Sequence, residues 1–251
     1  MRHLFAEQMD YVFFCYGLAF MILATVCFTL CRRDRTELPW IWLGLFGLVH
    51  GLNEWLVMLT ALEKEGPAIQ AAKGIVLVLS FTFLVGFGRA ALTGTGRRAA
   101  TRRWIMVVLA GLCLLGGLAG WAGLQAAARY ALAFPGAVAG AWLLWTAARR
   151  KDTPAGLWLR LAAVSLALYA VAAGLIVSYA GFPPACWVNR ELFANLTGLP
   201  VELVRAAVAV CLAVAIYGYA RVRGLEAVYV RRRAYWVSRW TAERCWRLWP
   251  G

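Results

Sequence analysis

The sequence predicts an all-α polytopic membrane protein with seven transmembrane helices, its N-terminus outside and its C-terminus in the cytoplasm. Of the 251 residues, 63% are hydrophobic and 15% are charged, which is far more apolar than a soluble domain. Seven apolar runs each approach the roughly 20 residues that a bilayer crossing requires. Lysine and arginine concentrate in alternate connections between these runs, as expected when positive loops stay in the cytoplasm.

The predicted spans follow one another with short connections. They cover residues 11–31, 39–62, 69–92, 104–123, 125–147, 156–180 and 199–221. Only a tight turn near Gly123 separates the fourth from the fifth, which together are too long for one crossing. Pro135 is expected to kink the fifth span, because proline removes a helical hydrogen bond. Residues 1–223 thus form the predicted membrane domain, and residues 224–251 a basic, aromatic, helical cytoplasmic tail.

The orientation follows from the basic residues. Twenty of the 26 lysines and arginines fall in segments 32–38, 89–103, 148–160 and 221–251, and six fall on the other side. This alternation predicts a multi-pass membrane protein with its N-terminus outside and its C-terminus in the cytoplasm. The net charge of +14 therefore reflects topology, and the expected partner is the lipid bilayer, with no nucleic acid.

The second predicted span carries the most informative stretch, Gly47 to Trp55. His50 and Glu54 are four residues apart, so they share one helical face. A polar group this deep costs a few kcal/mol unless it is paired or faces water. Gly47 and Gly51 form a pair of small residues that allows a neighbouring helix to approach closely. This helix is therefore expected inside the bundle.

The sequence contains few residues suited to catalysis or to holding a cofactor. Apart from His50 the only histidine is His3, so neither a haem nor a metal site is expected. There is no glycine-rich phosphate loop, no Gly-x-Ser-x-Gly motif, and no lysine in the last span for a retinal Schiff base. The seven cysteines are irregularly spaced and do not suggest a disulfide framework. We expect no enzymatic activity.

Further polar side chains enter the outer half of the predicted bundle. Arg205 lies on the order of 10 Å inside its span and needs a partner. We predict that Glu54 pairs with Arg205, or failing that with Arg129 or Lys73. Two interpretations stay open: the pairing fixes helix registry, or the polar groups line a periplasm-facing cavity that binds a small ligand or senses protonation through His50. The candidate ligand-binding residues are His50, Asn53, Glu54, Asn189, Glu202 and Arg205.

Two stretches resemble a known family. Phe46-Gly-Leu-Val-His-Gly-Leu-Asn-Glu-Trp55, and residues 184–193 running on to 197–205, are similar to segments of the seven-helix membrane sensor modules at the N-termini of bacterial histidine kinases and diguanylate cyclases. The resemblance covers about residues 10 to 225, with the same helix count and topology. It implies His50, Asn53, Glu54, Asn189 and Arg205 as the matching polar positions.

The resemblance implies a module that detects an envelope signal and passes helix movement to a cytoplasmic output domain. Only 28 residues follow Arg223, without a kinase or cyclase domain. We therefore expect either a cytoplasmic signalling partner or a longer gene product, and a homodimer is a further candidate assembly. Two other functions remain open: a non-catalytic structural or assembly subunit of a larger membrane complex, and a small transporter.

Overall fold

The computed structural model describes the backbone of residues 8–33, 38–60, 66–93, 99–150 and 154–247, and the side chains of residues 8–32, 38–60, 66–90, 107–150 and 154–224. Within these ranges the protein is helical and contains no β-strand, only one isolated bridge between Val177 and Asn189. The all-α class is thus confirmed.

The helices have the following bounds. They are α1 Met9–Arg33, α2 Trp40–Thr60, α3 Pro67–Thr93, α4 Ala99–Gly117, α5 Gly120–Arg149, α6 Pro154–Leu175, α7 Arg190–Thr197 and α8 Val201–Arg247. Two helices contain wide, π-helical turns: Arg129–Ala133 within α5, which ends two residues before Pro135, and Ala170–Leu175 at the end of α6. The backbone of α8 passes without a break through the predicted boundary between membrane domain and tail.

Among the described residues, six helices are long and apolar enough to cross a bilayer: α1, α2, α3, α5, α6 and the Val201–Gly224 part of α8. The fourth predicted span corresponds to α4, whose apolar described portion is the shorter Val107–Gly117. Membrane character is therefore supported, while the seventh crossing and the orientation stay predictions.

The turn between α4 and α5 differs from the prediction. It lies at Leu118 and Ala119, because Gly120 has a φ of +77° and breaks the helix there. Gly123 lies inside α5 instead. A Cβ atom on Gly123 would be 2.7 Å from the Cβ of Ala119, so this glycine permits close packing at the hairpin and does not form the turn.

Six helices close into a ring in which each contacts its two neighbours. The order around the ring is α1, α2, α3, α5, α6 and α8, with α8 returning to α1. Helix α4 stands outside this ring and, as far as the structure describes it, packs on α5 alone. The interior of the ring is therefore built without α4.

One close helix contact was predicted by the small residues of α2. A Cβ atom on Gly47 would be 2.8 Å from the carbonyl oxygen of Phe20, and one on Gly51 would be 2.9 Å from that of Gly17. Both neighbours belong to α1, so the predicted close approach is confirmed and its partner is α1. Because glycine lacks a side chain, the backbones of α1 and α2 can pack directly against each other.

The centre of the ring is aromatic. Tyr16 and Phe20 from α1, Phe46 from α2, Phe81 from α3 and Tyr169 from α6 are each at most 2% exposed. Their rings contact one another with several edge-to-face arrangements, as aromatic pairs prefer. The polar face of α2 emerges from this core toward the end of the bundle where α8 begins.

Candidate functional site

His50 lies at the centre of the aromatic core and is fully buried. Its ring centroid is 4.8 Å from that of Phe20 and 5.2 Å from those of Phe46 and Phe81. Such an apolar enclosure leaves the imidazole dependent on its own hydrogen bonds, because a buried polar group without a partner is costly. Both ring nitrogens have one.

The Nδ1 side of His50 is fixed by Ser80 on α3. Ser80 Oγ donates to the carbonyl oxygen of Leu77 at 2.7 Å and lies 3.0 Å from His50 Nδ1. When the single hydroxyl hydrogen of Ser80 is directed to Leu77, Ser80 accepts the hydrogen of His50 Nδ1. In this arrangement the Nδ1 atom of His50 is protonated.

The Nε2 atom of His50 lies near Tyr169 and Glu54, and Tyr169 in turn contacts Tyr16. Tyr169 Oη is 2.8 Å from Nε2, and Tyr16 Oη is 3.1 Å from Tyr169 Oη. Glu54 Oε1 lies 3.4 Å from the same Nε2 atom, which confirms that His50 and Glu54 share one face of α2. Ser80, Tyr16 and Tyr169 carry no distinctive sequence signal. Hydroxyl side chains are common in apolar helices, where serine and threonine often bond the backbone of their own helix.

Two proton arrangements satisfy these atoms. With a neutral imidazole, Tyr169 donates to Nε2 and accepts from Tyr16, and a protonated Glu54 can share Nε2. With an imidazolium, Nε2 donates toward Glu54 and Tyr169, and Tyr169 donates onward to Tyr16. One exchangeable proton held by His50 and Glu54 thus determines the direction of the tyrosine bonds.

A cavity of about 240 Å³ begins at Glu54 and reaches the end of the bundle where α8 starts. Its charged and amide groups come from α2, α3, α5, α7 and α8, so five helices contribute to one polar space. The lining residues are Phe13, Asn53, Glu54, Val57, Lys73, Leu77, Gln125, Arg129, Arg190, Glu202 and Arg205. The predicted gathering of polar residues from separate spans is thereby observed.

Asn53 is an incompletely satisfied polar group of the cavity wall. Its side chain is buried, and Nδ2 donates to Glu54 Oε1 across a long 3.5 Å. Its Oδ1 atom accepts no hydrogen bond from the residues that the structure describes. An amide oxygen in this position needs a donor from whatever enters the cavity.

Arg205 is held by the end of α6. Its Nε atom donates to the carbonyl oxygen of Ala172 at 2.9 Å, and its Nη2 atom donates to that of Ile176. Arg129 assists from α5, where Nη1 donates to the carbonyl oxygen of Ala173 at 3.1 Å. These carbonyl groups are available because α6 widens into π turns and then stops, and cations are favoured at a helix C-terminus.

The predicted ion pair between Glu54 and Arg205 does not form. In the described part of the chain, the carboxylate nearest to Arg205 is Glu202 on its own helix, at 3.9 Å. The carbonyl groups of α6 take most of the Arg205 donors, and Glu54 turns to His50 instead. Glu54 likewise forms no direct ion pair with Arg129 or Lys73 among these residues, although all four line the cavity.

The main partner of Glu202 is Arg190, a residue that no sequence pattern marks as part of the site. Arg190 Nη1 donates to Glu202 Oε1 at 2.7 Å, and Nη2 donates to Ser178 Oγ at 2.5 Å. The Arg190 side chain is 45% exposed while that of Glu202 is 9% exposed, so this pair closes the outer rim of the cavity. The segment between α6 and α8 positions Arg190 there, and no helical periodicity reveals this from the sequence.

The six candidate residues thus occupy different places. Four of them, Asn53, Glu54, Glu202 and Arg205, line the cavity; His50 lies directly beneath Glu54. Asn189 lies outside the lining and caps α7, since its Oδ1 accepts from the backbone N–H of Leu192 at 2.9 Å. In the described ranges, no three His, Cys, Asp or Glu residues are grouped so as to hold a metal ion.

The site is therefore a small polar cavity over a buried His–Glu pair, rimmed by arginines. No protein-family model, curated protein or solved structure matches the chain.

Proposed function

We propose that the protein is a membrane-embedded receptor module. A small ligand, or a proton, enters the polar cavity from the periplasmic side of a bacterial inner membrane. The resulting change is relayed along α8 to a cytoplasmic signalling partner. The proposal includes no catalytic step and no cofactor.

One observation carries this proposal: the cavity wall and the far end of α8 belong to one helix. Glu202 and Arg205 lie in the first two turns of α8, which continues as a single helix of 47 residues. At 1.5 Å per residue its length is about 70 Å, more than twice the roughly 30 Å hydrocarbon core. A displacement of its first turn is therefore transmitted mechanically beyond the bilayer.

The bonds of Arg205 provide a means for such a displacement. They join α8 to the end of α6, and Arg129 joins α5 to the same carbonyl groups. A ligand that competes for these guanidinium groups changes how α8 sits against α6. A signal results only if the ligand binds one helix arrangement more tightly than another.

Protonation offers a second stimulus at the same site. The proton held between His50 and Glu54 is linked to α6 through Tyr169 and to α1 through Tyr16. Moving that proton reverses the hydrogen bonds between these helices. Glu54 lines the cavity, so it is the group through which a proton reaches His50.

The first test is access to the cavity. In a variant without native cysteines, Val57→Cys is expected to react with a membrane-impermeant thiol reagent added outside the cell, because Val57 lines the cavity. Leu144→Cys is the matched control, since Leu144 is fully buried in the core. If Val57→Cys reacts with the external reagent no faster than Leu144→Cys does, the cavity does not open outward and the receptor proposal is contradicted.

The second test is coupling to α8. Spin labels at Arg221 on α8 and Arg149 on α5 report their separation by pulsed electron paramagnetic resonance in nanodiscs. Glu54→Gln is expected to shift this distance distribution, because it changes both the charge of the cavity and the proton shared with His50. Trp142→Phe, at a 63% exposed position, is expected to leave it unchanged. An identical distribution in Glu54→Gln and the parent protein argues against a receptor and for a structural subunit.

A further inference from the structure

The polar groups of the cavity are unequally satisfied by the protein itself. Glu202 has Arg190 at 2.7 Å, and Arg205 has the carbonyl groups of α6. By contrast, Asn53 is only 4% exposed, and its Oδ1 atom accepts no hydrogen bond from the described residues. A ligand that suits this cavity must therefore bring a hydrogen-bond donor to Asn53.

The charges of the cavity favour an anion. Leaving Lys73 aside, three arginines face two carboxylates, Glu54 and Glu202. Arg129 has five N–H donors, of which Nη1 is used on Ala173. Arginine presents its donors in a planar fork that matches a carboxylate. The arginines of the cavity can therefore bind an additional acidic group.

The size of the cavity limits the ligand. Its volume of about 240 Å³ is below the roughly 300–1,000 Å³ typical of sites for drug-sized molecules. Its acceptors Asn53 and Glu54 lie on α2, while Arg129 and Arg205 lie on α5 and α8. A fitting molecule is therefore small and carries both an acidic group and a hydrogen-bond donor.

We propose that the cavity binds a small carboxylic acid that also carries a hydroxyl or amino group, with the carboxylate on Arg129 and Arg205 and the donor on Asn53 Oδ1. This assignment rests on the receptor function proposed above and specifies its ligand class. Hydroxy acids and amino acids both belong to this class.

The test compares acids that differ by one hydroxyl group. Binding of L-lactate and propionate, and of L-malate and succinate, is measured by calorimetry on the full chain in nanodiscs of zwitterionic lipid. Within at least one pair, the hydroxy acid is expected to bind about two- to tenfold more tightly, the range for one hydrogen bond to a neutral acceptor. Equal affinities within both pairs overturn the assignment, because water then satisfies Asn53 equally well.

Two asparagine variants locate the effect. Asn53→Leu is expected to abolish the preference for the hydroxy acid while retaining the affinity for the plain acid. Asn195→Leu, at an exposed position on α7, is the matched control and is expected to keep the preference. A preference that survives in a folded Asn53→Leu protein overturns the assignment of the donor site.

A final comparison separates the ligand class from the receptor function. Binding of ethanolamine or glycerol in place of all four acids overturns the acid class but leaves a receptor cavity. Failure of Val57→Cys to react from outside contradicts the receptor itself. The two proposals therefore fail by different measurements.

Discussion

The Nε2 atom of His50 lies 2.8 Å from the hydroxyl oxygen of Tyr169, and this hydrogen bond joins α2 to α6 through the centre of the ring. Both side chains are fully buried. A second hydrogen bond joins Tyr169 to Tyr16 on α1, and a third joins His50 to Ser80 on α3. Four of the six ring helices thus meet at one imidazole, and the consequences can be tested one bond at a time.

Removing the Tyr169 hydroxyl is expected to destabilise the fold. Tyr169→Phe deprives His50 Nε2 and the Tyr16 hydroxyl of their shared partner, and an unsatisfied buried polar group costs about 1–3 kcal/mol. Tyr179→Phe is the control, since Tyr179 is 57% exposed. Thermal unfolding in nanodiscs compares the two. A Tyr169→Phe protein as stable as the control shows that the central bond contributes nothing to stability.

Ser80→Ala tests the other side of the imidazole. It removes the hydrogen-bond partner of His50 Nδ1, so we expect a loss of about 1–3 kcal/mol in the free energy of unfolding. Thr82→Ala is a suitable comparison, because Thr82 Oγ1 donates only to the carbonyl oxygen of Val78 in its own helix, at 2.8 Å. Denaturant unfolding should rank Ser80→Ala as the more harmful change. The reverse order would falsify the assigned bond.

Gly47→Ala tests the contact between α1 and α2. The added Cβ would be 2.8 Å from the carbonyl oxygen of Phe20, which is backbone and cannot rotate away. We expect a cost of about 1–3 kcal/mol, as for other overpacked cores. Gly111→Ala on α4 meets nothing within 4 Å and should be neutral or slightly stabilising, because alanine favours helix. Thermal unfolding that does not separate the two variants contradicts the close approach.

Arg205→Lys tests whether charge or geometry matters at the end of α6. Lysine keeps the charge but cannot donate from two nitrogens to the carbonyl groups of Ala172 and Ile176. We expect a loss of about 1–3 kcal/mol. Arg160→Lys, at an exposed position of α6, should stay within about 0.5 kcal/mol of the parent protein. Equal effects of these variants in denaturant unfolding would mean that a positive charge alone suffices at position 205.

The sequence predicted the helices well, because the length of an apolar run is a local property. The described helices α1, α2 and α3 begin and end within a few residues of their predicted spans, and the spacing of His50 and Glu54 correctly gave a shared face. The close packing at Gly47 was likewise predictable, since only small residues allow it. The turn before α5 was predicted a few residues too late. Glycines occur both in turns and at close helix contacts, and the sequence does not distinguish these two roles.

Residue type and position within an apolar run identify the polar residues that cannot face lipid, such as Glu54 and Arg205. Their contacts depend on how the helices are arranged in three dimensions. Arg205 bonds the carbonyl groups that the widened end of α6 leaves available, and Glu54 therefore pairs with His50. The order and rotation of the helices place Arg190, Tyr169 and Ser80 at the site. A periodic pattern identifies the buried face of a helix, but the neighbour on that face depends on how all the helices pack together.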